Sequence, residues 1–365
     1  MHATKRKRWT LALVILSVVD ATTGAKALTA ATAATPATVS APPDLATFAL
    51  GGTIRGSGST FADRFYKKVV FSLKTTAPGL QVVYRPIGSG KGKADFGKGV
   101  TDFAGTDSLV KHTDGPKAGE FMYVPTAAAP ITVAYHLTGV SELRLSAPTL
   151  ARIFQRDVTR WNDPVIQAEN PNVVLPSRVI GVVHRFDSSG TTSNFTKYLT
   201  MASGDLWRLG AGDSIAWPSN TAAASGNAGV ARLIKLNNGS IGYVDLSDAK
   251  SARLSVAAVQ NKAGHFVLPT LDGVSAALAQ SPPEPDLTYQ PLDAAGVDSY
   301  PITAPTYLLV RITYRDQPTA DAVKGFVRFV LTDGQTLAAT VNYAKLPETL
   351  RVQALAQLDK IGVGE

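Results

Sequence analysis

The 365-residue chain contains no cysteine. This excludes disulfides, thiolate metal sites, a cysteine nucleophile and a lipidated N-terminal cysteine. Histidine is scarce: His2, His112, His136, His184 and His265 are the whole set, and they form no H-E-x-x-H or other metal spacing. No G-x-S-x-G elbow occurs. The nearest approach to a P-loop is Gly92, four residues, then Gly97-Lys98, and it ends on Gly99 where a Ser or Thr would have to hold Mg²⁺. Long apolar runs are also missing. The run Trp9–Val19 falls short of the roughly 20 residues that span a bilayer, and no later stretch approaches 18 consecutive apolar residues. It follows the basic tract Lys5-Arg6-Lys7-Arg8 and precedes Ala25-Lys26-Ala27, whose small residues suit signal peptidase. A basic start, a short apolar centre and an A-x-A ending predict a secretory signal peptide over residues 1–27, the alternative being an uncleaved anchor helix. The expected location is therefore extracytoplasmic, in the periplasm or cell envelope or secreted, where ATP-dependent chemistry is out of reach.

What is present is apolar material: 45% hydrophobic residues against 18% charged ones, enough for large packed cores and about two domains. The net charge is +8, of which the leader, with five basic residues and one acidic, carries half. The remaining +4 suits a small anion and argues only weakly for nucleic acid. Residues 28–44 open with LTAATAATPATVSAPP, a nearly charge-free run of Ala, Thr, Pro and Ser that cannot bury enough surface to offset its ordering entropy. They read as a flexible spacer before a folded body over 45–365. In that body strand-like and helix-like runs alternate, the pattern of an α/β protein. Strands are predicted at 48–54, 80–84, 101–104, 131–136 and 179–183. Helices are predicted at 59–75, where Phe61, Phe65 and Val69 recur every four residues, and at 191–200, 317–332 and 347–360.

Three turns share one plan: a strand end, then Gly with Ser or Thr, then a helix start or a glycine-rich turn. They are Gly56-Ser57-Gly58-Ser59-Thr60-Phe61, Gly88-Ser89-Gly90-Lys91-Gly92 and Asp187-Ser188-Ser189-Gly190-Thr191. Glycine lets a backbone approach a ligand closely. The first N–H groups of a helix lack partners within it, and the helix dipole favours negative charge there. One such turn is ordinary capping. Three, beside Arg185, Asp107 and Asp187, point to an oxyanion site.

From about Thr53 to the end, the chain resembles the extracytoplasmic phosphate-binding proteins (PstS type) of high-affinity phosphate ABC transporters. The resemblance rests on GSGSTF at 56–61, IGSGKG at 87–92, DFAGTDSL at 102–109, HRFDSSGTTSNFTKYL at 184–199 and GSIGYVDLSDAK at 239–250. It implies the two-lobed periplasmic-binding-protein fold of type II: α/β lobes joined by crossing strands, lobe I over 45–126 plus 301–365 and lobe II over 127–300, with phosphate in the cleft between them. It also implies roles. Thr60 would donate its N–H and hydroxyl, Phe61 its N–H, and Ser89 as Thr60 does. Asp107 would accept a hydrogen from bound phosphate, and Arg185 would be the cation facing the ligand, with Asp187 beside it. Ser189, Gly190 and Thr191 would be helix-start donors. Asp187 has a second possible role, orienting Arg185. Lys91 stands where the family has small residues, and is expected to add charge at the cleft rim.

The chemistry of those residues agrees. A carboxylate can accept only from a protonated oxygen, and phosphate keeps a proton near neutral pH whereas sulfate does not. The expected function is phosphate binding and delivery to membrane permease subunits, by a monomer without cofactor, metal or nucleic acid. Two other readings stay open: a binding protein for another tetrahedral oxyanion, and a secreted phosphatase or serine hydrolase using the serines near His184. Trp161, Trp207 and Trp217 are expected to be packing residues.

Overall fold

The computed structural model describes residues 50–111 and 115–364. The signal peptide and spacer expected over 1–44 lie outside the described residues. Among the described residues nine strands form the main sheet. In chain order they are β1 (Gly52–Gly58), β2 (Leu80–Pro86), β3 (Phe103–Thr106), β4 (Phe121–His136), β5 (Gly181–Arg185), β6 (Ala222–Ala224), β7 (Ser240–Asp245), β8 (Ser255–Val256) and β9 (Thr303–Arg311). Their spatial order is β2-β1-β3-β9-β4-β7-β5-β6, with β8 added against β4.

The long strand β4 organises this sheet. Its sixteen residues, FMYVPTAAAPITVAYH, are buried along nearly their whole length. Such continuous burial fits a strand covered on both faces. Residues 121–130 pair antiparallel with β9, and residues 131–136 pair with β7. The sheet therefore has two halves that share one strand, and each half carries a lobe. Pro125 lacks the N–H that a central strand needs, and the β4–β9 register shifts opposite it, between Thr306 and Tyr307. A proline inside a sheet is tolerated at such a bulge.

In the first half β1, β2 and β3 are parallel, and Gly58 stands level with Pro86 and Gly105. Their carboxyl ends share one edge, and the segments 59–62, 87–89 and 107–108 leave from it. In the second half β5, β6 and β7 are parallel in the same way. Open α/β sheets bind ligands at the carboxyl ends of their strands. Here two such edges are available.

Helices cover the sheet. Helix α1 (Asp63–Thr76) buries Phe65, Tyr66, Val69 and Leu73 on one stripe. Helix α2 is Ser89–Gly97, α3 is Gly190–Ala202, α4 is Gly226–Leu236, α5 is Leu246–Ser251 and α6 is Gln317–Leu331. Several boundaries differ from the sequence reading. Of the strand predicted at 48–54, residues 48 and 49 lie outside the described residues; the described strand is Gly52–Gly58, and the helix predicted from Ser59 opens at Asp63. The glycine-rich stretch 88–92, read as a turn, is the first turn of α2. Helical i→i−4 bonding tolerates Gly90 and Gly92 here because Gly92 packs against the Ser57–Gly58 backbone, where a side chain would collide. Trp161 and Trp207 are buried in the core, and Trp217 packs at its margin. Among the described residues no helix is long and apolar enough to cross a membrane, and no cluster of three acidic or histidine side chains is placed to hold a metal ion.

Candidate functional site

Asp107 sits one residue beyond β3 and is buried. The antiparallel register pairs Tyr307 with Thr106, which brings Thr306 alongside Asp107. Three hydroxyls converge on its carboxylate. Ser59 Oγ lies 2.7 and 2.8 Å from Oδ1 and Oδ2, Thr306 Oγ1 donates to Oδ1 at 2.7 Å, and Ser89 Oγ donates to Oδ2 at 3.2 Å. Ser59 Oγ also accepts from the Ala62 N–H at 3.0 Å, so its own hydrogen is committed to the carboxylate. Burial drives the Asp107 carboxyl up to about 6, against the downward pull of these hydroxyls and the charge of Arg185.

The second lobe meets this group at the start of α3. Ser189 caps that helix, its Oγ accepting from the Thr192 N–H at 3.2 Å. Gly190 follows, packed so closely that a Cβ there would lie 2.7 Å from Ser89 Oγ and 2.8 Å from Asp107 Cβ. Only glycine allows this approach. One turn on, Asn194 Nδ2 donates to the Gly190 carbonyl at 2.9 Å and also to the carbonyl of Asp107. The helix start is thus fastened to the segment that carries the acid.

Thr60 and Thr191 come from opposite lobes and meet through Asn227. Its Nδ2 donates to Thr60 Oγ1 at 3.3 Å and to Thr191 Oγ1 at 3.2 Å, while its N–H lies 3.3 Å from Thr60 Oγ1. Phe61 turns its ring into the core, edge-on to Tyr343 with centroids 6.1 Å apart, so only its backbone is available to the site.

Arg185 closes β5 and is 4% exposed. Its Nε donates to Asp187 Oδ1 at 2.8 Å and its Nη2 to Oδ2, a bidentate pair. Gly226 N–H adds a bond of 3.0 Å to Asp187 Oδ1. Burial pushes the Asp187 carboxyl upward, but Arg185 outweighs it and holds the group below the usual carboxylate range. Asp187 therefore orients the guanidinium. Gly88, with φ of +92°, fits against this pair: a Cβ would lie 2.6 Å from Asp187 Oδ2. Gly90 N–H donates to the Ser188 carbonyl at 3.3 Å, a further contact between the lobes.

All nine residues singled out from sequence thus lie at the facing edges of the two half-sheets. Thr60 and Thr191 are joined through Asn227, Ser89 bonds Asp107 directly, Gly190 packs against both, and the Arg185–Asp187 pair reaches this group through the backbone of Gly88 and Gly226. Sequence reasoning missed Thr306 and Asn227, and placed Ser59 in the first turn without giving it a role of its own. Asn227 had a visible signal, because Ser225-Gly226-Asn227 repeats the strand–Gly–helix plan of the other turns. Thr306 had none, since only the sheet register brings it to Asp107. Lys91 differs from expectation: it is exposed and pairs with Asp95 one turn on at 2.7 Å, so its charge is balanced locally. His184 stacks on Trp217 with centroids 4.7 Å apart, and its nitrogens meet the Arg185 carbonyl at 2.9 Å and Thr221 Oγ1 at 3.0 Å. Burial lowers its pKa. It is held as a structural residue, and these partners include no serine.

Comparison with known proteins agrees with this geometry. The PBP superfamily domain profile matches residues 25–334. A phosphate-binding protein PstS of Methanocaldococcus jannaschii is 35% identical over 322 residues, covering 81% of this chain and 82% of that protein. Phosphate-binding protein PstS 3 of Mycobacterium tuberculosis is 34% identical over 314 residues, covering 82% and 84%. Among solved structures, a high-affinity periplasmic phosphate-binding protein with phosphate bound superposes with a TM-score of 0.67 at 23% identity, over 84% of this chain and 94% of that one. A phosphate-binding protein from Stenotrophomonas maltophilia gives 0.65 at 20% identity, with the same coverage. These structural likenesses establish the two-lobed fold. Together with the sequence relatives they lead to one conclusion: the chain belongs to the PBP superfamily, among the phosphate-binding proteins of PstS type.

Proposed function

We propose that this chain captures inorganic phosphate between its lobes and delivers it to the permease of an ABC importer. The observation that carries the reading is the convergence of Thr60, Ser89, Asp107, Gly190, Thr191 and Arg185 from two strand-end edges. A buried oxyanion must exchange its hydration shell for fixed donors, and an unpaired buried anion is very costly. The proposed donors are the N–H groups of Thr60, Phe61, Ser89, Gly190 and Thr191, with the hydroxyls of Thr60, Ser189 and Thr191; the Ser89 hydroxyl is given to Asp107. Arg185 adds the positive charge. A guanidinium has five N–H donors, and Asp187 takes two, which leaves the rest of the fork for the ligand.

Asp107 sets the choice of anion. With Ser59 and Thr306 holding it from behind, its carboxylate accepts a hydrogen from protonated phosphate. Fully deprotonated sulfate would face it with no hydrogen between them, and a polar partner left unmade can be worth selection factors of about 10⁴–10⁵. The proposed lobes are 45–126 plus 301–365 and 127–300. The proposed context is extracytoplasmic, with export by the basic and apolar leader. The chain is proposed to act as a monomer that binds without turnover, since His184 has the wrong partners to activate a serine.

Equilibrium dialysis with labelled phosphate tests the reading. Saturable binding at micromolar ligand, undiminished by equimolar sulfate, is expected. No binding, or full competition by sulfate, would reject it. Turnover of p-nitrophenyl phosphate by the pure protein would instead favour the hydrolase.

A further inference from the structure

Lys93 lies in the middle of α2, and its side chain is completely enclosed. A lysine is almost never buried in this way unless it is paired. Its Nζ donates to Asp213 Oδ2 at 2.9 Å, to Ser108 Oγ at 3.2 Å and to the Leu109 carbonyl at 3.1 Å. Ser108 Oγ donates in turn to Asp213 Oδ2 at 2.8 Å. Lys93 and Ser108 belong to the first lobe. Asp213 comes from the second, on the loop after α3, so this ion pair crosses the cleft outside the proposed phosphate cradle.

Two backbone links couple it to that cradle. Ser108 directly follows Asp107. The Asp213 carbonyl accepts from the Ser189 N–H at 2.9 Å, and Ser189 is the cap that precedes Gly190. Lys93 can meet Asp213 only when the Asp107 segment and the start of α3 stand in the register that assembles the anion donors. A second pair between the lobes, Arg64 with Asp248 at 3.0 Å, differs in kind, because the arginine side chain is 43% exposed. Such a pair is solvent-screened and weak.

We infer that Lys93 and Asp213 are positioning residues that lock the closed register and thereby set how fast phosphate escapes. The inference rests on the phosphate reading above. A buried ion pair adds little net stability over an apolar substitute, yet removing one member strips the other of its hydrogen-bonded opposite charge out of water. Opening the cleft hydrates both groups. Removing one partner therefore penalises the closed state, and removing both relieves most of that penalty. A pair that served only as packing would not show this recovery.

The test compares the parent with Lys93→Met, Asp213→Asn, the double variant and the milder Ser108→Ala. Phosphate association and dissociation are followed by stopped flow. In parallel, spin labels on Val100→Cys and Val174→Cys, which are 62% and 93% exposed and stand in a cysteine-free background, report the distance between lobes. Each single charge removal is expected to speed dissociation tenfold or more, with association within about threefold of the parent and a wider distance distribution at saturating phosphate. Ser108→Ala should give a smaller increase. The double variant should recover at least half of the logarithmic change. Parent-like dissociation in both single variants, or strictly additive effects in the double one, overturns the inference. If the parent binds no phosphate, the functional reading fails, and the ligand-free label distances still decide the pair: wider in the single variants and restored in the double supports it, unchanged throughout overturns it.

Discussion

In the proposed site Asp107 is the residue on which selectivity turns, and its surroundings make its titration measurable. Its carboxyl is raised to about 6, above the unfolded value of 3.8. Between those two values the folded form holds a proton that the unfolded chain has released. Folding stability in the ligand-free protein must therefore fall as pH rises from about 4 to 6, by on the order of 3 kcal/mol for this group. Asp107→Asn should flatten that slope, which urea denaturation at a series of pH values would measure. The same variant should lose its preference for phosphate over sulfate, because the amide can donate to a sulfate oxygen. An unchanged ratio in competition dialysis would remove Asp107 from the selective role. In the parent, the preference should shrink as pH drops through about 6 and the carboxyl becomes a donor. Arg185→Ala should weaken phosphate binding at least a hundredfold, since it removes the buried cation and also leaves Asp187 unpaired. Isothermal titration would register the loss.

At the scale of elements, the start of α3 has the least room for change. Gly190→Ala would place a methyl 2.7 Å from Ser89 Oγ and 2.8 Å from Asp107 Cβ. The two lobes could then not close to the same register, so phosphate affinity should drop sharply while the melting temperature of the ligand-free protein changes little. Equal losses in both would mean that the glycine serves folding rather than closure. Ser189→Ala removes a helix cap and should cost about 1 kcal/mol in stability, with a loss of affinity on top.

The turns that build this edge were readable from sequence because each depends on local chemistry: a glycine where backbones touch, a hydroxyl at a helix start, an arginine beside an acid. Thr306 was not, because its place next to Asp107 is set by the pairing of β9 with β3, about 200 residues away in the chain. The residues 88–92 misled for a local reason. Glycine content suggested a loop, but tertiary packing against β1 overrode poor helix propensity and gave the first turn of α2. Strand β4 was recognised only over its last six residues, since Pro125 and Pro130 break the expected strand pattern and the bulge that accommodates Pro125 is a property of two strands together.

For the whole molecule, the charged groups that cross the cleft matter most. Lys93 with Asp213, and more weakly Arg64 with Asp248, link the two lobes on separate elements, and the proposed anion donors lie at the same facing edges. Phosphate that draws the lobes together should therefore reduce the radius of gyration. Small-angle scattering with and without ligand would detect it, and identical profiles at saturation would show that binding needs no closure. The halves of the sheet also share one continuous backbone. Ten residues of β4 complete one half and six complete the other. A fragment cut to contain a single lobe would carry a severed strand and an unprotected edge. Calorimetry of the intact chain should accordingly record one cooperative melt, and complementation from two separately expressed pieces should work only if the break spares this shared beam.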